Sequence, residues 1–144
     1  MNNAADWYAE EEYRYRTEPS RKQKKPTGVL RVRRCDIYMA DLTGDPLDRH
    51  GKVRPVIIIQ NDKGNQSSDS FIAAIITSRP KKNLPTHITL GTDCGLRKNS
   101  TVLCEHIVTV KGDRLLKYMG TISGTKEEKR LDRALCISLQ IRKR

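Results

Sequence analysis

The sequence predicts a mainly β domain with one closing α-helix, in the form of a small barrel or a sandwich. Three observations lead there. Short apolar runs recur between clusters of Gly, Pro, Asn and Asp, the pattern of a fold built from many short strands. Two of those runs, at 53–60 and 70–77, are nearly free of polar residues, as central strands are. Only after Thr125 does the apolar spacing become helical. A chain of 144 residues is long enough for one domain with a modest core and too short for two.

The first 34 residues divide into an acidic-aromatic piece at 7–16 and a basic piece at 21–25, broken by Pro19 and Pro26. Neither has a strand or helix period, and too few apolar side chains are present to offset the entropy of ordering them. Residues 1–34 are therefore expected as a mobile tail and 35–144 as the folded domain. A first strand is expected at 36–42, then a loop at 43–52 rich in Gly, Asp and Pro. The second strand is 53–60, a polar turn covers 61–69, and the third strand is 70–77. A basic loop at 79–83 leads to 86–90, which alternates as a half-exposed strand does. The turn at 91–99 precedes a strand at 100–107, and 117–123 is a last short strand.

The closing segment starts on Thr125-Lys126-Glu127-Glu128. This fits a capping box, in which the Thr hydroxyl and a Glu carboxylate satisfy the orphan amides of a helix start. Leu131, Ala134, Leu135, Ser138 and Leu139 then share one helical face. Arg142, Lys143 and Arg144 follow where positive charge suits a helix C-terminus.

The formal charge is +11 and the isoelectric point about 9.8. Residues 35–144 hold 19 basic and 12 acidic side chains, so +7 belongs to the domain itself. Such a surface favours a polyanion, nucleic acid first and an anionic membrane second, with simple solubility as the plain alternative. The tail has two functional readings beside mobility: a basic arm adding non-specific RNA affinity, or a short helix docking through Trp7. Cys35, Cys94, Cys104 and Cys136 form no Cys-x-x-Cys pair, which argues against a zinc ribbon and a redox motif. The polar, acidic start lacks the apolar core of a signal peptide. No run approaches the roughly 20 apolar residues of a membrane span. A reducing cytoplasm is the expected setting.

Polar residues bound the two central runs. Arg54 precedes the first and Gln60-Asn61-Asp62 follows it, while Thr77-Ser78 closes the second. Rigid strands ending this way can hold an arginine against a phosphate, whose oxygens its planar fork fits bidentately. Arg54 has the alternative of capping a strand on the surface, and Thr77 that of an ordinary β-branched strand end. Asn61 and Asp62 are also explained as a turn pair. In Cys104-Glu105-His106, strand alternation places Cys104 and His106 on one side and Glu105 on the other, so the three do not converge on a metal.

Seven segments, in order, resemble the MazF/PemK family of ribonuclease toxins from bacterial toxin–antitoxin pairs. They are Asp36-Ile37-Tyr38, the block from Val53 through Asp62, Ala73-Ala74-Ile75-Ile76-Thr77-Ser78, Leu84-Pro85-Thr86-His87, the block from Ser100 through Glu105, Gly120-Thr121-Ile122-Ser123, and the closing helix. The resemblance implies an SH3-like barrel with a packed C-terminal helix, working as a homodimer that cuts single-stranded RNA at short sequences. It implies 2′-hydroxyl attack without metal or cofactor, and inhibition by a cognate antitoxin with an acidic C-terminal segment. Arg54 and Thr77 fall on the family's catalytic positions. The expected substrate-binding residues are His50, Gln60, Asn61, Ser78, Lys81 and His106. His87 lies in the family's own Pro-Thr-His segment and is expected to be structural.

The chain departs from the family at four places. His50 and His106 stand where glutamine is common, Val108 where arginine is, and Cys35 where glycine is. The two histidines either alter base preference, add a titratable group near the groove, or are a solvated loop residue and a hydrogen-bonded strand residue. Two other functions share the fold or the charge. A gyrase-poisoning toxin of the CcdB type acts through an aromatic near its C-terminus, whereas this chain ends Gln140-Ile141-Arg142-Lys143-Arg144. The other is an RNA-binding module without catalysis.

Overall fold

Six strands alternate their side chains between two apolar faces of one antiparallel sheet, so the fold is a curled half-barrel and not a two-sheet sandwich. The computed structural model describes residues 31–45 and 53–142. The strands are β1 (Asp36–Asp41), β2 (Val53–Ile58), β3 (Ser70–Thr77), β4 (His87–Leu90), β5 (Ser100–Lys111) and β6 (Leu115–Thr121). They lie in the order β4-β5-β3-β2-β1-β6. On β3, Ala74 and Ile76 join one buried cluster with Ile37, Ile57, Val102 and the C-terminal helix. Phe71, Ala73 and Ile75 join the other, with Tyr38, Val56, Ile58 and Val110. This period of two places apolar surface on both sides of the central strands.

The sheet curls because its two edges meet. A 3-10 turn at Thr92–Cys94 follows β4 at one edge and comes against β6 at the other. Gly95, at φ +100°, and Gly120 form the contact. A Cβ on Gly95 would lie 1.9 Å from the Met119 carbonyl oxygen, and one on Gly120 1.9 Å from that of Cys94. Only glycine allows two backbones this close.

The strand entry explains a departure noted in the sequence. Cys35 has φ +77°, a left-handed conformation that glycine adopts without strain. The thiol is fully buried. The Cys35 amide donates to the Ile58 carbonyl at 2.8 Å, and its carbonyl accepts from the Ile122 amide at 3.2 Å.

The long β5 contains the feature that the sequence concealed. Ile75 pairs with Leu103, yet the next β3 residue back, Ala74, pairs with Ile107. Cys104, Glu105 and His106 are therefore extra residues on β5, a bulge. An odd insertion reverses the face of everything after it. Val102 and Cys104 lie in the helix-side cluster, whereas Val108 and Val110 lie in the opposite one. The alternation expected across Cys104-Glu105-His106 is thus corrected: Cys104 is buried while Glu105 and His106 are both exposed. The strand also runs to Lys111, past its expected end at 107.

Two helices complete the fold. The turn expected at 61–69 contains α1 (Asp62–Ser67), capped by the Asn61 side chain, which accepts from the Gly64 amide. α2 (Lys126–Leu139) starts at Thr125, whose hydroxyl accepts from the Glu127 amide. The Glu128 carboxylate accepts from the Gly124 amide at 2.9 Å, one residue before the position a capping box specifies. Leu131, Ala134 and Leu135 are buried, and Ser138 donates to the Cys104 carbonyl at 2.7 Å. Leu139, expected on the same face, is 52% exposed, because the helix ends there and Gln140 turns left-handed.

Residues 1–30 of the expected tail, and His50, lie outside the described residues. Val32 to Arg34, expected as the tail's end, are attached to the domain. Val32 is buried in the cluster with Tyr38. The Arg34 side chain donates to the Ile59 carbonyl at 3.1 Å and pairs with Asp132 of α2 at 2.8 Å. No helix among the described residues is long and apolar enough to cross a membrane.

Candidate active site

The register of the sheet brings Arg54 and Thr77 to one transverse row. Arg54 pairs with Ala40 of β1. On the other side of β2, Val56, Ile57 and Ile58 pair with Ile75, Ala74 and Ala73. Carried two residues further, that register sets Arg54 opposite Thr77. By alternation both belong to the face that holds Val56 and Ile75, away from α2. Arg54 is half-buried and Thr77 is 5% exposed. The β2–β3 pairing itself ends at Val56 and Ile75, so Arg54 and Thr77 are the next residues of that face where the two strands leave the ladder.

The Thr77 hydroxyl accepts from the Arg79 amide at 3.2 Å. This fixes one lone pair and leaves the proton to donate. The chain then enters the loop between β3 and β4, where Ser78 is half-buried and Lys81 exposed. That loop carries Arg79, Lys81 and Lys82 without an acidic residue, a local field suited to phosphate.

The row continues beyond Thr77. Thr101 of β5 pairs with Thr77, and Thr89 of β4 pairs with Thr101. Sequence patterning did not single these out, since only the pairing register places them beside Thr77. His106 lies in the bulge, exposed, further along β5.

Next to it the bulge is clamped. Glu105 accepts from the Thr86 hydroxyl at 2.8 Å and contacts His87 Nε2 at 2.6 Å, while His87 Nδ1 lies 2.8 Å from the Lys82 carbonyl. Burial raises the Glu105 pKa, but the His87 and Thr86 hydrogen bonds outweigh it and hold the carboxyl below its ordinary value. His87 ties the basic loop to β5.

Gln60 and Asn61 are not brought to this row. They lie at the other end of β2, six and seven residues beyond Arg54, or about 20 Å at strand rise. Gln60 Nε2 donates to Asn65 Oδ1 at 3.1 Å and to the Ser70 carbonyl at 3.3 Å. Asn61 Oδ1 accepts from the Gly64 amide at 2.8 Å. Both serve the turn that carries α1. Among the described residues no three His, Cys, Asp or Glu side chains are grouped to hold a metal ion.

Residues 33–139 match the PemK-like, MazF-like toxin family of type II toxin–antitoxin systems. The chain is 40% identical over 110 residues to the endoribonuclease MazF of Staphylococcus saprophyticus, covering 75% of this chain and 91% of that one. An endoribonuclease from Mycobacterial species has the same fold, with a TM-score of 0.65 at 21% identity over 79% of this chain and 96% of that one. So does an endoribonuclease in complex with its cognate antitoxin, also from Mycobacterial species, at a TM-score of 0.65 and 22% identity, over 78% and 98%. With a family match across most of its length and a relative this similar, the chain belongs to the PemK-like, MazF-like toxins of type II toxin–antitoxin systems.

Proposed function

We propose that this MazF-like endoribonuclease toxin cleaves single-stranded RNA at short sequences, with the 2′-hydroxyl beside the scissile phosphate as nucleophile and no metal ion. RNA carries its own nucleophile. The protein then has to orient that hydroxyl, move protons and stabilise the charge gathering on the phosphorane. What supports this reading best is the β2–β3 register: continued past Val56 and Ile75, it aligns Arg54 with Thr77 beside a loop of cations.

In this reading Arg54 binds the non-bridging phosphate oxygens through its fork. A guanidinium is always charged in a protein and so is a poor base; Arg54 stabilises charge or gives a proton to the leaving oxygen. Thr77, already accepting from Arg79, donates its hydroxyl proton to a phosphate oxygen. The 2′-hydroxyl gives up its proton to solvent as its oxygen bonds to phosphorus, while the bond to the 5′-oxygen breaks and that oxygen takes up a proton, leaving a cyclic phosphate and a 5′-hydroxyl end. Ser78, Lys81 and His106 border the path and contact substrate, whereas Gln60 and Asn61 belong to the α1 turn.

Two partners complete the proposal. A cognate antitoxin with an acidic segment would cover the basic loop by charge complementarity, consistent with the mycobacterial endoribonuclease solved with its antitoxin. A second copy of the chain would make a two-fold dimer that extends the groove, and the setting is cytoplasmic. The test is digestion of a mixed RNA pool by purified protein in EDTA, followed by sequencing of 5′-hydroxyl ends. Ends clustered at one short motif are expected; RNA left intact at every dose would remove the nuclease reading.

A further inference from the structure

We infer that Thr101 and Thr89, with Thr77, form a hydroxyl track that carries the RNA strand across the sheet from the scissile phosphate toward the turn between β4 and β5. The inference rests on the proposed function for the identity of the anion at Arg54, and goes beyond it in assigning the path and two substrate-contacting residues.

Register makes the row continuous. Thr77 pairs with Thr101, and Thr101 with Thr89. In an antiparallel sheet directly paired residues point to the same face, so the three hydroxyls stand side by side on three adjacent strands. Exposure rises along the row: Thr77 is buried, Thr101 half-buried and Thr89 exposed. The row therefore opens toward solvent with distance from the Arg54 end. One pleat further back the paired residues are Ile75, Leu103 and His87, apolar apart from the clamped histidine. The hydroxyls are thus the polar margin of an otherwise apolar strip.

Charge frames the same margin. The loops that begin after Thr77 and after Leu90 carry Arg79, Lys81, Lys82, Arg97 and Lys98 against a single acid, Asp93. A strand of phosphates laid along the row would pass between these two loops. From Arg54 to Thr89 the row crosses three interstrand steps of about 4.8 Å. That exceeds what one phosphate can span, so Thr101 and Thr89 contact phosphates or 2′-hydroxyls flanking the cut. Threonine suits this role because a hydroxyl donates to a phosphate oxygen and accepts from a sugar hydroxyl, without preference for a base.

The test uses a double variant, Thr101→Val with Thr89→Val, which keeps shape and β-branching and removes the hydroxyls. Its affinity for an oligonucleotide made uncleavable by one 2′-deoxy sugar at the cut site should fall about tenfold. With the cleavable oligonucleotide KM should rise by a similar factor while kcat stays within twofold. A neutral methylphosphonate at one flanking phosphate should weaken binding to the wild type and leave the variant unaffected. The Thr101→Ser, Thr89→Ser protein keeps both hydroxyls and should bind as the wild type does.

Equal affinity of wild type and Val variant would overturn the track, and so would an equal loss in the Ser and Val variants. Failure of the underlying reading looks different: wild type that binds the all-ribose oligonucleotide but never cuts it, or Arg54→Ala that still cuts.

Discussion

β2 has polar residues at each end, and the two ends set them in different surroundings. Beyond Ile58 the polar groups turn back onto the chain. Gln60 bonds Asn65, the Ser70 carbonyl and the Ile72 amide; Asn65 bonds the Gln60 carbonyl and Asp62; Asp62 accepts from the Arg34 amide. At the Arg54 end, Thr77 bonds the Arg79 amide, and the neighbouring loop presents three cations and no acid. Polar residues flanking a core strand are therefore ambiguous until their partners are known. Where side chains satisfy local backbone they make a turn; where they line a face under one sign of charge they can make a site.

Substitutions at the two ends should separate these roles. The largest effect is expected from Arg54→Ala, with cleavage of an oligonucleotide falling on the order of 100- to 1000-fold and an unchanged melting temperature. Asn65→Ala at the opposite end should do the reverse. Asn65 is buried and its amide donates at 3.0 and 3.2 Å. Its loss should cost about 1 kcal/mol by removing hydrogen bonds to the half-buried Gln60 carbonyl and the Asp62 carboxylate, read from the urea midpoint, with kcat per folded molecule preserved. A variant at Asn65 that slowed cleavage without lowering the midpoint would break the distinction between the ends.

Asn61→Ala is a milder probe of the same end. It removes the α1 cap on the Gly64 amide, typically worth about 1 kcal/mol, and Asn61→Asp should keep most of that stability because a carboxylate also caps. RNA binding measured in parallel should not change in either protein. A large drop in affinity for Asn61→Ala alone would return this residue to the substrate path.

The contrast also explains what the sequence disclosed. β3 has the expected bounds, and β1, β2 and β4 differ from theirs by one or two residues, because Gly, Pro and polar clusters interrupt the apolar runs sharply. Cys35 stood out where glycine is common, and its positive φ supplies the reason. α1 was concealed because Asp62–Ser67 has no apolar periodicity and is held by side-chain bonds from outside the segment. The β5 bulge was concealed because periodicity in one strand does not reveal how its partner counts. For the same reason Arg54 and Thr77 were visible as strand ends, but Thr101 and Thr89 were not visible as their neighbours. Val32 reads as tail in the sequence because one valine among arginines gives no burial signal.

The smallest expected effect concerns the clamp that holds the basic loop near the Arg54 end. Burial raises the Glu105 pKa, but hydrogen bonds from His87 and Thr86 prevail and lower it from an ordinary 4.5. A carboxyl whose folded pKa lies below its unfolded one stabilises the fold fully above the unfolded value, and that contribution disappears as pH falls through the folded value. Wild type should therefore exceed Glu105→Gln in melting temperature at neutral pH, with the gap closing below about pH 4.5 as the carboxyl becomes the neutral acid that glutamine mimics. The Glu105 side chain is 34% exposed, so solvent screening limits the gap to a few tenths of a kcal/mol. Asp36, raised by burial against its hydrogen bonds, gains relative stability as pH falls, which makes the paired difference more informative than either curve alone. A gap that persisted at pH 3 would mean that Glu105 acts through shape and not charge, and that the loop at the Arg54 end is held by packing as the α1 end is held by hydrogen bonds.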